Sequence, residues 1–212
     1  MKKLFTLVLL LTLAVGVKAQ SAEELMKQSV RHLIGDGVPQ SESEFKELFR
    51  KAVEAGTKVV EGPDYVKLQS MENPEQMVID ILVDYAQKGN TNAMYQLGMF
   101  YKQGQGVEKS IPEAQKWFTK ASDLGHAESQ FKLGDMYFGG EIKSEQSDAE
   151  ALKWWRKAAA QGHAEALFNV GECYLNGDGV KVSKAEAIKW LRKAAAKGHE
   201  DAIEELKGLG VR

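Results

Sequence analysis

The sequence has little of several features that would decide its class at once. Among its 212 residues there is a single cysteine, Cys173, so no disulfide can form within the chain. Cationic side chains are not in excess, because 28 Lys and Arg stand against 30 Asp and Glu and give a formal net charge of −2. We therefore do not expect nucleic acid as a partner, since neutralising phosphates requires a basic surface. Four prolines and 43% hydrophobic residues also exclude a Pro-rich linker and a disordered tail.

The apolar run near the N-terminus is short. It covers residues 4–17, which is 14 residues, fewer than the roughly 20 that a membrane-spanning helix needs. It follows Lys2 and Lys3 and leads to a small-residue triplet that ends at Ala19, a pattern typical of secretory signal peptides. We expect residues 1–19 to be removed, with an uncleaved anchor as the alternative. The mature chain is then an exported bacterial protein, periplasmic or extracellular, with no stable membrane insertion.

A helical repeat dominates the second half of the chain. A Gly-His pair recurs at residues 125–126, 162–163 and 198–199, a period of 37 and then 36 residues that is typical of helical arrays. A Ser and, three residues later, a Glu stand at fixed distances before each pair and predict a capping box at a helix start. A Trp and small Ala residues follow on one face of the same predicted helix. The Ser, Glu and Trp are Ser110, Glu113 and Trp117, then Ser147, Glu150 and Trp154, then Ser183, Glu186 and Trp190.

A second helix precedes this one in every repeat. Its Gly, at Gly98, Gly134 and Gly171, is expected where a neighbouring helix approaches closely. Gly-x-Gly-Val loops follow at 104–107 and 177–180 and predict tight turns with positive φ. The loop at 139–142 differs and carries one extra residue before the next helix, so we expect a different local turn there.

The same spacing extends upstream in weaker form. Residues 20–89 fit two degenerate helix pairs that end at Gly56 and Gly89, continuous with the three repeats of residues 90–212. Residues 199–206 repeat the first helix with acidic residues in place of apolar ones, as a terminal cap requires. The predicted fold is all-α: an α-solenoid of about five helix pairs plus a C-terminal capping helix.

The strings LGMFYKQGQGV, EAQKWFTKASDLGH, EALKWWRKAAAQGHAEALFNVGECYLNGDGV and EAIKWLRKAAAKGH resemble Sel-one-like repeats, a branch of the tetratricopeptide-like α-solenoids. The resemblance is strong over about residues 91–199 and weak upstream. It implies that the solenoid is a right-handed α-solenoid of antiparallel helix pairs, and that the protein is an adaptor that binds peptides or proteins. Some cysteine-rich exported members have been described as binding penicillin or hydrolysing β-lactams, but their helix-pair cysteines are absent here.

Histidine and cysteine are the residue types that most often bind metals or take part in catalysis, but in this chain we expect both to have structural roles. His126, His163 and His199 lie one repeat apart, too far to share a metal ion, so we expect them to form hydrogen bonds at helix junctions. His32 is also interpreted as structural. Cys173 fits a small buried thiol, and no orienting base is evident for a catalytic one. We predict no cofactor, no metal and no catalytic residue.

The repeat tryptophans could line a ligand site or form the core. They recur opposite small Ala residues, and we predict that Trp117, Trp154 and Trp190 face the partner helix as core residues. Trp155, one residue further along its helix, is expected to turn away from the partner helix.

A candidate binding stripe lies on the first helix of each repeat. If Leu97, Gly98 and Tyr101 face the array, the residues two before, two after and five after Leu97 share another stripe. Tetratricopeptide relatives use the matching positions to line a concave groove, where an extended peptide or a helix could place apolar anchors. The alternative is that the aromatics pack between successive repeats. The predicted partner-binding residues are Tyr95, Met99 and Lys102, then Phe131, Asp135 and Phe138, then Phe168, Glu172 and Leu175.

Periodic packing residues without a convergent catalytic set predict a protein that is not an enzyme. The expected function is an exported scaffold or adaptor that binds a protein or peptide through the concave face of its helix pairs. The alternatives are a cell-wall or β-lactam-directed enzyme, as suggested for the cysteine-rich relatives, and a structural spacer with no dedicated ligand.

Overall fold

The computed structural model describes residues 22–36, 43–44, 47–48, 74–144 and 147–211. The predicted signal peptide, the predicted cap at Gly56 and the helix predicted before Asn73 lie outside these ranges.

The chain divides into two compact parts, residues up to Ile81 and residues from Leu82 onward. In the first part, helix α1 (Ala22–Ile34) ends at Gly35 with a φ of 73°, and the Arg31 side chain donates a hydrogen bond to the Asp36 carbonyl. His32 Nδ1 lies 3.1 Å from a Glu44 carboxylate oxygen.

Among the remaining described helices, three pairs stand between one helix before them and one after them. Helix α2 (Pro74–Gln87) contains the division between the two parts. Repeat A consists of α3 (Thr91–Gln103) and α4 (Ile111–Asp123), repeat B of α5 (Ala127–Phe138) and α6 (Ser147–Ala160), and repeat C of α7 (Ala164–Asn176) and α8 (Lys184–Ala195), with α9 (Glu200–Gly208) after them. From repeat A onward, each helix packs against its pair partner, and the second helix of each pair packs against the first helix of the next. The described residues contain helices and no strands, which confirms the predicted all-α solenoid.

Glycine ends the helices as predicted. Gly89, Gly125, Gly162 and Gly198 all have φ between 84° and 88°, the left-handed region that only glycine adopts without steric cost. The loop of repeat B is different, as expected, because Gly139 is right-handed and only Gly140 has a positive φ.

The predicted capping boxes are only half correct. Ser110 Oγ accepts a hydrogen bond from the Glu113 amide at 3.3 Å, and Ser183 Oγ accepts one from the Glu186 amide at 3.4 Å. The amides of both Ser residues donate to the carbonyl of the repeat Tyr in the preceding helix, at 2.8 Å, and so do not need the Glu carboxylate. Where the loop is one residue longer, Ser147 is itself the first helical residue and its hydroxyl donates to the Ser144 carbonyl at 2.7 Å.

The tryptophan prediction is wrong by one position. The residue after each repeat Trp fills the space beside the glycine of the partner helix: a Cβ added to Gly98, Gly134 or Gly171 would lie within 3.0 Å of that side chain in each case. Those side chains are Phe118, Trp155 and Leu191, which are 0%, 3% and 0% exposed.

The repeat tryptophans lie beside the core and are only partly buried. The Nζ of the Lys three residues later lies over each indole ring, at 4.4, 3.8 and 4.3 Å from the ring centroid. The pairs are Trp117 with Lys120, Trp154 with Lys157, and Trp190 with Lys193. Trp155, predicted to turn away from the partner helix, is the residue that packs against that helix at Gly134.

We predict that Gly134→Ala destabilises the protein by about 1–3 kcal/mol, because the new methyl group would overlap the Trp155 ring and force the two helices apart. The free energy of unfolding, measured by urea denaturation, tests this. Gly208→Ala is the matched control, since nothing lies within 4 Å of its Cβ position and alanine favours the helix by up to about 1 kcal/mol. Equal stability of the Gly134 variant and the wild type would contradict the close approach.

Candidate functional site

Each junction between repeats is built around a histidine. His126, His163 and His199 are the N-cap residues of α5, α7 and α9, and the Nδ1 of each accepts a backbone amide hydrogen bond at 3.2–3.3 Å. With Nδ1 as the acceptor, the neutral ring carries its proton on Nε2. That nitrogen reaches the preceding repeat, at 2.8 Å from Asn92 Oδ1 for His126, and at 2.9 and 3.1 Å from the carboxylates of Glu128 and Glu165 for the other two. The predicted hydrogen bonds at helix junctions are confirmed.

The electrostatics of the junctions follow from this geometry. Burial lowers the pKa of His126, which keeps the ring neutral and able to cap its helix. The hydrogen bond from His163 is the largest of the effects that lower the pKa of Glu128, so this carboxylate is held ionised against the ring. Each imidazole therefore joins a helix start to a polar side chain one repeat away.

An aromatic side chain covers the face of every junction histidine. Phe131 stacks on His163 and Phe168 on His199, both with ring centroids 4.5 Å apart, and Tyr95 lies tilted against His126 at 5.4 Å. Burial raises the pKa of Tyr95 to about 12. Three of the nine predicted partner-binding residues thus contact the next repeat, which is the arrangement of the alternative interpretation, packing between repeats.

Three further predicted residues are also engaged within the protein. Lys102 Nζ lies 2.6 Å from a Glu141 carboxylate oxygen in the loop of repeat B. Met99 and Leu175 are partly buried and pack against the hydrophobic core.

The last three predicted residues, Asp135, Phe138 and Glu172, meet at one pocket. It has a volume of about 390 Å³ and lies between repeats B and C, with Trp155 in its wall. Phe138 is 51% exposed, and its ring centroid is 5.2 Å from that of Trp155, so one ring is buried and the other is available at the surface. The other lining residues are Gly139, Asn169, Cys173, Asn176 and Asp178.

The two carboxylates of the predicted set have different surroundings. Asp135 Oδ1 accepts a hydrogen bond from Trp155 Nε1 at 3.1 Å, and Oδ2 lies 3.4 Å from Lys132 Nζ. Burial nevertheless raises the pKa of Asp135. Glu172 Oε1 is buried and has no hydrogen-bond partner among the described residues. Burial raises the pKa of Glu172, and the negative charges of Glu205 and Asp178 raise it further.

The pocket offers binding rather than nucleophilic chemistry. Cys173 is 2% exposed, and burial raises the pKa of its thiol to about 12, so the reactive thiolate is scarce at neutral pH. Within the described ranges, no group of three or more His, Cys, Asp or Glu could hold a metal ion. In the same ranges, no helix has both the length and the apolar character needed to cross a membrane.

Sequence reasoning finds three lining residues of this pocket and misses the others. From the sequence, Trp155 is expected to turn away from the partner helix, so it is not among the predicted site residues. Asn169 and Asn176 are not marked by the repeat pattern, since repeat B carries Lys132 and Gly139 at these places.

The Sel1 repeat model matches the sequence at residues 29–57, 91–126, 127–163 and 164–199. The chain belongs to the Sel1 repeat family. The last three matches coincide with repeats A, B and C, while residues 58–90 lie between matches, so a second degenerate repeat there stays a prediction. Sel1 repeats generally serve as scaffolds for protein interactions.

Solved structures of Sel1 repeat proteins have the same fold. A Sel1 repeat protein from Oxalobacter formigenes is 31% identical, with a TM-score of 0.56 over 60% of this chain and 95% of that one. The protective antigen c5321 of uropathogenic Escherichia coli, described as having an SLR fold, is also 31% identical, with a TM-score of 0.58 over 90% of this chain and 42% of the antigen.

A curated relative is the HRD3A component of an ERAD-associated E3 ubiquitin-protein ligase from Arabidopsis thaliana, 41% identical over 71 residues. Those residues are 33% of this chain and 10% of HRD3A, so the match covers a small part of that protein.

We predict that His163→Asn lowers the free energy of unfolding by about 1–3 kcal/mol, because it removes the hydrogen bond to Glu128 and the stack on Phe131. Asn still caps the helix, as Asn90 does at the start of α3, where its side chain accepts from the Ala93 amide at 2.9 Å. His163→Ala should therefore cost about 1 kcal/mol more. Chemical denaturation followed by circular dichroism measures both values, and an Asn variant as stable as the wild type would show that the junction needs only the cap.

Proposed function

We propose that this chain is an exported scaffold that binds a protein or peptide partner, and that the pocket between repeats B and C is the anchoring point. The observation that carries the proposal is Phe138, a large aromatic ring that is half exposed beside a pocket of about 390 Å³. The aromatics at the other stripe positions are covered by histidines of the next repeat. An exposed aromatic at the edge of a concave site is the feature that protein interfaces use as an energetic anchor.

The size of the pocket supports a macromolecular partner that inserts one side chain. Its volume is at the lower end of the roughly 300–1,000 Å³ of small-molecule sites. An extended peptide, or a helix, could place one residue in the pocket while its flanking residues contact the neighbouring repeats.

We predict that Phe138→Ser weakens partner binding at least tenfold without unfolding the protein, because the half-exposed ring contributes to binding rather than to the core. Twelve-residue peptides selected from a displayed random library against the full mature chain serve as probes, with affinities measured by fluorescence anisotropy. Leu124→Ser is the matched control, since Leu124 is an apolar residue that is 58% exposed and does not line the pocket. Peptides that bind both variants as well as the wild type would exclude this pocket as the binding site.

Export is part of the proposal and rests on the pattern of residues 1–19. We predict that the chain, expressed with its own N-terminus in a Gram-negative bacterium, is recovered outside the cytoplasm with Gln20 as its first residue. Fractionation and mass spectrometry of the N-terminal peptide test this, with Leu9→Arg as a control that interrupts the apolar run. A chain that still carries Met1 in the cytoplasmic fraction would overturn the assignment.

A further inference from the structure

We propose that the pocket between repeats B and C receives an arginine side chain of the partner. The inference rests on the proposed binding function and specifies the chemistry of the group that is bound. Its basis is the combination of two aromatic rings, Phe138 and Trp155, with carboxylates that lack a full set of cationic partners.

The charged residues that line the pocket are all acidic, while two cations lie near it: Lys132, 3.4 Å from Asp135, and Arg156, whose charge acts on Cys173. Asp135, Glu172 and Asp178 line it, and none of the lining residues is Lys, Arg or His. Glu205 lies close enough to add its negative charge to the surroundings of Glu172. An acidic side chain of a partner would be repelled, and an aliphatic one would leave these carboxylates further dehydrated without a partner.

The carboxylates are not equally available. Asp135 already has Trp155 Nε1 and Lys132 Nζ beside it, so a ligand would gain less there. The Oε1 atom of Glu172 is buried without a hydrogen-bond partner among the described residues, which leaves an acceptor unused inside the protein. A cationic donor that contacts the Glu172 carboxylate would offset the negative charge around it, and a rotation of this side chain would bring Oε1 into the pocket as a second acceptor.

The rings select arginine over lysine. The Phe138 ring lines the pocket, is half exposed and lies 5.2 Å from the Trp155 ring, so aromatic surface is available to a bound group. A guanidinium group is planar, stacks on aromatic faces and is more weakly hydrated than an ammonium group. Its several donors can bond Glu172 and the side-chain oxygens of Asn169 or Asn176 together, which one ammonium group does less well.

The test compares a guanidinium with its uncharged analogue. Nα-acetyl-arginine amide and Nα-acetyl-citrulline amide are titrated into the full mature chain, and the indole N–H resonance of Trp155 is followed by NMR. We expect the arginine compound to shift this resonance in the millimolar range typical of a single side chain, with citrulline at least tenfold weaker. Citrulline binding as well as arginine would overturn the proposal.

Variants connect the effect to the pocket carboxylate. Glu172→Gln should weaken the arginine compound about fivefold or more, because it removes the charge and keeps the shape. Glu186→Gln is the control: it removes an acidic charge that pairs with Lys189 on α8, outside the pocket, and affinity should stay within about twofold. An unchanged affinity of the Glu172 variant would overturn the proposal.

The selected peptides separate this inference from the proposed function. Peptides that depend on Phe138 should contain an arginine at one common position, and that preference should disappear in selections against Glu172→Gln. Phe138-dependent peptides without arginine, or with lysine in its place, would keep the scaffold function and overturn the arginine assignment. Absence of any Phe138-dependent peptide would instead remove the proposed function itself.

Discussion

The close approach of paired helices at a glycine is the constraint on which the rest of the structure depends. At Gly98, Gly134 and Gly171 there is no room for a Cβ, and the facing helix fills that space with a large side chain. In repeat B this side chain is Trp155, whose indole N–H then bonds Asp135 and whose ring contacts Phe138. The packing of one helix pair thus determines the wall and the aromatic edge of the candidate pocket.

The junction histidines connect each repeat to the next through hydrogen bonds. A helix N-terminus has unsatisfied amides, and the imidazole Nδ1 accepts a hydrogen bond from one of them while Nε2 reaches the preceding repeat. Because Phe131 and Phe168 stack on these rings, aromatic positions that would suit a groove are used for packing between repeats. Phe138, five residues after Leu133, remains half exposed. Of the predicted binding stripe, only the part around Phe138 therefore remains a candidate binding surface.

Much of the solenoid could be predicted from the sequence, and the errors have a common cause. Relative to Ala114 and Ala121, at 100° per residue, Trp117 and Phe118 lie about 50° to either side of the stripe. Helical periodicity alone could not choose between them, and the position of Gly98 on the facing helix favours Phe118. The capping boxes are half correct for a similar reason, since the Ser amides donate to the carbonyls of Tyr101 and Tyr174 in the preceding helix rather than to the nearby Glu.

Local chemistry fixed what the sequence alone determined: the helix ends at left-handed glycines, the Ser and His caps, the 36–37-residue register and the different turn at Gly139 and Gly140. The helix ends, the caps and the turn depend on backbone conformation and on residues a few positions apart, and the register is visible as a repeat of the same residue types along the chain. Only the tertiary structure decided which aromatics enter the core, which ones cover histidines, and that Asp135, Phe138 and Glu172 share one pocket with Trp155. Those outcomes depend on contacts between helices and between successive repeats, whose distances and rotations are set by packing rather than by the period of the sequence.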